Sequence, residues 1–292
     1  MQIRLKMDVF SRFIMLMIIP VLMIVKGNHC SAQTGYELAK TMFAETKKIK
    51  SMKFTMKKME RIDNDMKVQI NSAKLSLDPF KIYSIQKSPN EGLEMLYCAG
   101  EFNDKAWINP NGFPWFSLKL DPMGSIMRDD QHHTIINSGY DHVISILEHL
   151  FDKYGEETKT MVKKLKPIKL NGRECLGIEF NNSHYKFISH KVKKGETILT
   201  IADSLKVSEY MVLERNKSVD EYDDIEPGQI ILIPNDYSPR MVIYMDKNKM
   251  VPLMMKIYDD IGVYEVYEYF DVSINHKFKS EEFSPEYSGY NF

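Results

Sequence analysis

The densest run of proton- and metal-handling side chains in this 292-residue chain is Asp129-Asp130-Gln131-His132-His133. Two imidazoles beside two carboxylates could hold a cation. Adjacent residues on a strand point to opposite faces, however, so His132 and His133 would not share one ion. The run reads instead as a polar loop. His142 and His149 stand seven apart on one side of a helical segment and read as solvent-facing. Ser183-His184-Tyr185-Lys186 matches Ser-x-x-Lys as a string but lacks the companion motifs of acyl-transfer enzymes. Cys98 and Cys175 fall in strand-like runs with no signature that would pair a thiolate with a histidine. No His-Glu-x-x-His or similar zinc spacing occurs. The expectation is a protein with no catalytic residues, no metal and no cofactor.

A second group of side chains suits binding better than bond-making. Trp107, Phe113, Trp115 and Phe116, with the chain's 20 methionines, could line an apolar cavity for an acyl chain. Methionine adapts to irregular apolar ligands. A filled core explains the same composition, and the sequence leaves both open.

What must position these residues begins after residue 32. Arg4, Lys6 and Arg12 precede an apolar run over 13–25, and Cys30-Ser31-Ala32 supplies small residues before Gln33. That is the layout of a secretory signal peptide over residues 1–32, with an uncleaved membrane anchor as the alternative. Its removal takes away four basic residues and one acidic one, moving the formal charge from −1 to −4. Such a balance gives no footprint for nucleic acid or anionic lipid. A periplasmic or secreted location follows. In an oxidising compartment the remaining pair, Cys98 and Cys175, invites one disulfide; two buried free thiols are the alternative.

Apolar spacing predicts a helix over 35–50 and an amphipathic helix over 140–154, where Val143, Ile144, Leu147, Leu150 and Phe151 share one face. Between them lie strand-like runs punctuated by Asp63-Asn64-Asp65, Asp78-Pro79 and Asn111-Gly112. Asn171-Gly172 marks a hairpin between 163–170 and 173–180. Runs at 241–245, 251–258 and 262–270 complete a meander. Consecutive strands tend to neighbour one another, so 173–180 is expected to pair with 241–245. Residues 188–234 then sit as an insertion within one antiparallel sheet, an arrangement that close termini permit.

The inserted stretch runs His190-Lys-Val-Lys-Lys-Gly195-Glu-Thr197, continues to Arg215-Asn216, and closes on Ile225-Glu-Pro227-Gly228 before an apolar run to Pro234. Gly195 suits a tight turn, Thr197 a helix cap, Asn216 a loop-bridging amide, and Pro227-Gly228 the turn into a second strand. This stretch resembles a LysM module, a βααβ unit that in its family binds N-acetylglucosamine glycans such as peptidoglycan. The resemblance implies a shallow groove in which Gly195, Glu196, Thr197 and Ile198 face Ile225, Glu226, Pro227 and Gly228. Residues 188–234 hold six Lys/Arg and nine Asp/Glu, a net of −3. That charge repels anionic wall polymers and leaves neutral amino-sugar backbone compatible.

Residues 33–187 and 235–292 form the larger part. Leu118-Lys119-Leu120-Asp121-Pro122 with Gly124, Asn275, and the tail from Phe283-Ser284-Pro285 to Tyr290-Asn291-Phe292 resemble an uncharacterised bacterial family of the LolA/LolB-like fold. That resemblance implies an α+β domain, a curved, incomplete antiparallel barrel covered by helices over an apolar cavity. Two functions follow as expectations: a non-enzymatic envelope protein contacting peptidoglycan glycan through the module, or a carrier of lipid or lipoprotein acyl chains in the cavity. Oligomeric state is not written in the sequence.

Overall fold

The computed structural model describes residues 33–292. The signal-peptide reading of residues 1–32 lies outside them. Thirteen strands and six α-helices follow in order: α1 (Gly35–Thr46), β1 (Ser51–Ile62), β2 (Asp65–Leu77), β3 (Phe80–Ser88), β4 (Glu94–Cys98), β5 (Ala106–Asn109), β6 (Leu118–Leu120), α2 (Ser125–Arg128), α3 (Asp141–Tyr154), α4 (Thr158–Met161), β7 (Val162–Leu170), β8 (Arg173–Asn181), β9 (Phe187–Lys191), α5 (Ile198–Leu205), α6 (Glu209–Arg215), β10 (Ile230–Pro234), β11 (Arg240–Asp246), β12 (Pro252–Tyr258) and β13 (Val263–Ile274). Eleven strands form one antiparallel sheet in the order β6-β5-β4-β3-β2-β1-β13-β12-β11-β8-β7. It is curved and open, with β6 and β7 as its free ends. The architecture is α+β, as the sequence predicts.

Hairpin connections build each half, and the pairing of β1 with β13 joins them, Met56 opposite Tyr269 and Glu60 opposite Glu265. On the other side β8 pairs with β11, Met241 opposite Phe180 and Met245 opposite Leu176. The sheet therefore continues across the chain that leaves at β9 and returns after β10. Those two strands pair only with each other and carry α5 and α6 between them.

Strand alternation sends successive side chains to opposite faces, and the sheet uses both. On the helix-covered face, Leu75, Ile82, Ile178, Met241 and Met255 pack against Leu38 and Met42 of α1 and Leu147 and Leu150 of α3. Burying one such aliphatic side chain contributes roughly 1.5–3 kcal/mol. Phe151 joins the two helices, stacked on Tyr36 and edge-on to Phe43. Thr34 starts α1 through a capping box with Glu37. On the opposite face Tyr83, Leu96 and Cys98 are covered by Phe283, with Trp107, Tyr290 and Phe292 packed around them. The module has a core of its own, centred on Val192, Ile198, Ile201, Val212, Ile225 and Ile231.

Candidate functional site

The site is laid out along two neighbouring strands. Phe54, Met56, Lys58 and Glu60 alternate onto one face of β1, so that face changes from apolar to charged along its length. Antiparallel β13 runs Tyr269, Tyr267, Glu265 beside it and repeats the gradient. The segment 127–139 and the start of α3 close over both strands. Gly139 makes the approach possible: its φ is +96°, and a Cβ there would lie 2.7 Å from Leu75 Cδ2. Beneath lies a cavity of about 100 Å³. Phe54, Met56, Met95, Met127, Ile135 and Val143 line its apolar part. Lys58, Gln131, His133, His142, Tyr237, Glu265 and Tyr267 line its polar end.

Glu60 and Glu265 are direct cross-strand partners, and both are buried at 1% exposure. Like charges so placed repel, so their compensation decides whether the pair is tolerable. Glu60 lies 3.0 Å from Lys58 Nζ, accepts the His132 backbone N–H at 3.1 Å, and meets Tyr267 Oη at 2.7 Å. Glu265 accepts from Tyr237 Oη at 2.7 Å and contacts His132 Nδ1 at 2.9 Å and His133 Nε2 at 3.3 Å. Burial alone would raise both carboxyls. The Lys58 ammonium and the imidazoles outweigh it for Glu60, which falls below the ordinary carboxylate value. For Glu265 burial is likewise overcome, by the charge of His133 and the hydrogen bonds of His132 and His133, and its value falls well below.

The two histidines differ in kind from a polar loop. His132 is fully buried, its ring stacked on Tyr264 at 3.9 Å and on Tyr210 at 4.9 Å, with Nε2 facing Arg61 O at 2.9 Å. Residues 132 and 133 lie in a bend rather than a strand, so alternation does not separate them, and both rings reach the one carboxylate of Glu265. Burial lowers the His133 value, but Glu265 outweighs it and the net shift is upward. His142 is not solvent-facing: it faces the cavity, and burial with the adjacent His133 lowers it to about 3. Asp129 and Asp130 do stay exposed.

Glu60, His132 and Glu265 bring ligand-type atoms within 4.8 Å of one another. Their donors are engaged: each His132 ring nitrogen faces an oxygen acceptor, and Lys58 and His133 balance the carboxylates. A cation there would compete with charges of its own sign. The group reads as a self-compensated network.

The module seats against this network. Tyr210 of α6 covers His132 and contacts the Asp63 backbone N–H at 3.2 Å. Ser208 meets Tyr264 Oη at 2.7 Å, and Arg128 pairs with Glu209 at 2.9 Å while lying over the Tyr222 ring. Arg61, paired with buried Asp259, reaches toward Glu214.

Each half of the sequence-derived groove is tied to the rest of the module by backbone bonds, Ile198 N–H to Tyr222 O at 2.8 Å and Gly228 N–H to Val192 O at 2.8 Å; among the described residues no hydrogen bond runs directly between 195–198 and 225–228. Gly195, Glu226, Pro227 and Gly228 are exposed, and Glu196 and Thr197 half-buried. Glu196 accepts from His190 and the Lys193 N–H; Thr197 caps α5. Ile198 and Ile225 are core residues, at 0% and 8% exposure, so their side chains do not cover a sugar face. Among the described residues no hydrogen bond or ion pair ties 195–198 or 225–228 to the large sheet.

Other expectations are corrected. Cys98 and Cys175 are free and buried, on β4 and β8 with six strands between them. Seven inter-strand steps of about 4.8 Å separate them, roughly 34 Å along the sheet, and their side chains belong to the cores on opposite faces, so they do not meet as a disulfide requires. Burial raises the Cys98 thiol to about 11. Trp107 packs on the face away from the cavity, and Phe113, Trp115 and Phe116 are 84%, 81% and 62% exposed. Cavity-lining methionines replace them. Ser183 is exposed at the junction before β9, and neighbouring His184 bonds Glu157 at 2.6 Å.

A family described as Protein of unknown function (DUF1571) matches residues 49–207, and the LysM domain matches residues 190–234. No functionally curated protein matches the chain. The chain is similar to three solved structures, among others. The LolA superfamily protein NE2245 from Nitrosomonas europaea is 8% identical, with a TM-score of 0.32, 88% of this chain and 100% of that one covered. The Mycobacterium tuberculosis lipoprotein LppX is 10% identical, with a TM-score of 0.38, covering 82% and 98%. A putative outer membrane lipoprotein-sorting protein domain from Vibrio parahaemolyticus is 12% identical, at 0.31, covering 85% and 95%. Overlaps this loose carry no argument; the architecture rests on the strand order itself.

Proposed function

This chain belongs to the DUF1571 family and contains a LysM domain, and from that premise we propose that it is a non-enzymatic binding protein of the cell envelope, periplasmic or secreted, that contacts peptidoglycan glycan through the LysM groove. The observation that carries this is the seating of the module. Its α6 face is spent on the larger domain, while the turns at Gly195 and at Pro227-Gly228 stay exposed and free of hydrogen bonds to that domain. Backbone groups there suit the N-acetyl group of a neutral sugar. The net charge of −3 disfavours anionic polymers.

Sedimentation with purified peptidoglycan sacculi tests it, using residues 33–292. The protein should pellet with sacculi and be released by chitotetraose but not by dextran, which lacks N-acetyl groups. Retention that chitotetraose leaves untouched, or no retention at all, would overturn the reading.

The cavity supports a second reading, an apolar-ligand carrier. Its size sets a limit. Drug-sized ligands occupy pockets of about 300–1,000 Å³, and this cavity is about 100 Å³. As shaped it takes one small apolar group rather than the acyl chains of a lipoprotein. Lipid or lipoprotein therefore ranks behind glycan as a partner.

A further inference from the structure

Six buried side-chain N or O atoms among the described residues lack a hydrogen-bond partner, and three of them border the same cavity. They are Asn71 Oδ1 from β2, His133 Nδ1 from the covering segment and His142 Nε2 from the first turn of α3. Buried polar atoms are nearly always satisfied. The two imidazoles form one wall and Asn71 borders the same cavity from the sheet; unpartnered atoms converging on one cavity mark a place built to be completed by something else.

The surrounding bonds say what these atoms offer. Asn137 Oδ1 accepts the Thr134 N–H at 3.2 Å, which fixes its amide so that Nδ2 points at His142 Nδ1, 3.3 Å away. His142 Nδ1 is thus an acceptor, and its proton sits on Nε2, the unpartnered atom. His133 Nε2 faces Tyr237 Oη at 2.8 Å, and that hydroxyl donates onward to Glu265. The Nε2 of His133 therefore donates, and beside the Glu265 carboxylate its ring favours a second proton, on Nδ1. The two rings lie 4.6 Å apart between centroids, at 62°. His142 Nε2–H, a donor without an acceptor, thus stands beside the unpartnered His133 Nδ1 at the polar end of the cavity.

We infer that this wall is a recognition subsite for an acceptor oxygen, carboxylate or ester carbonyl, carried at the end of a small apolar molecule whose body lies against Phe54, Met56 and Val143. The inference rests on the apolar-ligand reading and adds to it the chemistry of the head. Hydrocarbon burial supplies affinity there, and the imidazoles supply the preference, since a site with donors of its own rejects analogues that leave them unpaired.

Titration of residues 33–292 with hexanoate, methyl hexanoate and hexane tests it, followed by the imidazole ¹⁵N resonances of His133 and His142. Hexanoate or its ester should bind about tenfold more tightly than hexane, the worth of roughly one added hydrogen bond, and should move both imidazoles. The stronger of the two identifies the head as charged or neutral. His142→Phe should abolish the preference and spare hexane binding, and His142→Gln, which keeps an N–H donor, should restore part of it. Equal binding of all three probes would overturn the subsite and leave the apolar-ligand reading standing. No binding of any, a wall satisfied by water only, would overturn both.

Discussion

The two candidate binding places are built in opposite ways. The LysM groove falls within one short stretch of sequence, is largely exposed, and is made of turns whose side chains mostly hold backbone in shape: Thr197 caps a helix, and Ile198 and Ile225 fill the module core. The cavity gathers side chains from β1, β2, β13, the 127–139 segment and α3, and buries them. A backbone site tolerates exchange of its exposed side chains and fails when its scaffold loosens. A side-chain site fails when one charge is removed.

The largest effect should follow Glu265→Leu. The substitution leaves His132, His133 and Tyr237 facing a missing carboxylate, and breaking a buried ionic network from one side costs about 3–5 kcal/mol. Urea unfolding measures it; a loss below about 1 kcal/mol would mean the network is not a unit.

Acid should act on the same place. The folded values of Glu60 and Glu265 lie below the ordinary 4.5, so their stabilising contribution is present above that pH and is lost as pH falls through the folded values. His142 adds to the slope. Its folded value of about 3 lies under the ordinary 6.5, so the unfolded chain binds the extra proton between those limits and stability drops as pH falls across them. His142→Phe should flatten the pH dependence of Tm between about 6.5 and 4. An unchanged slope would contradict the burial of that ring.

In the module the scaffold is the sensitive part. Asn216 accepts the Leu232 N–H at 2.8 Å and donates to Val212 O and Leu232 O at 2.7 and 2.8 Å. Asn216→Ala should cost about 1–3 kcal/mol and weaken sacculus binding in proportion. Glu226→Ala, at an exposed groove position, should stay within about 0.5 kcal/mol and leave retention unchanged. A large loss of retention from Glu226→Ala alone would show that the groove works through side chains.

The same contrast explains what the sequence reveals. Gly195, Thr197, Asn216 and Pro227-Gly228 stand within 34 residues and each answers a local demand, so the amino-acid order alone is enough to mark the module. The strand order is legible too, because Asn171-Gly172 and the other turn signals leave neighbouring strands few partners. The cavity is not. Glu60 and Glu265 are 205 residues apart and become a pair only when β1 meets β13. The trace they leave is a pair of charges, Lys58 and Glu60, on the buried phase of an otherwise apolar strand face. His132 and His133 stand out as residues, but their surroundings do not: a fully buried imidazole stacked between tyrosines from two other elements leaves no local mark. The aromatic run Phe113 to Phe116 misleads in the other direction, since composition does not say which way a hairpin tip faces.

We propose that this chain meets glycan at the LysM groove. Amide chemical-shift mapping of ¹⁵N-labelled residues 33–292 with chitotetraose tests it most directly. The largest shifts should fall at residues 195–198 and 225–228, with the His132–Glu265 network unmoved. Shifts confined to the cavity, or none in the module at saturating sugar, would contradict it.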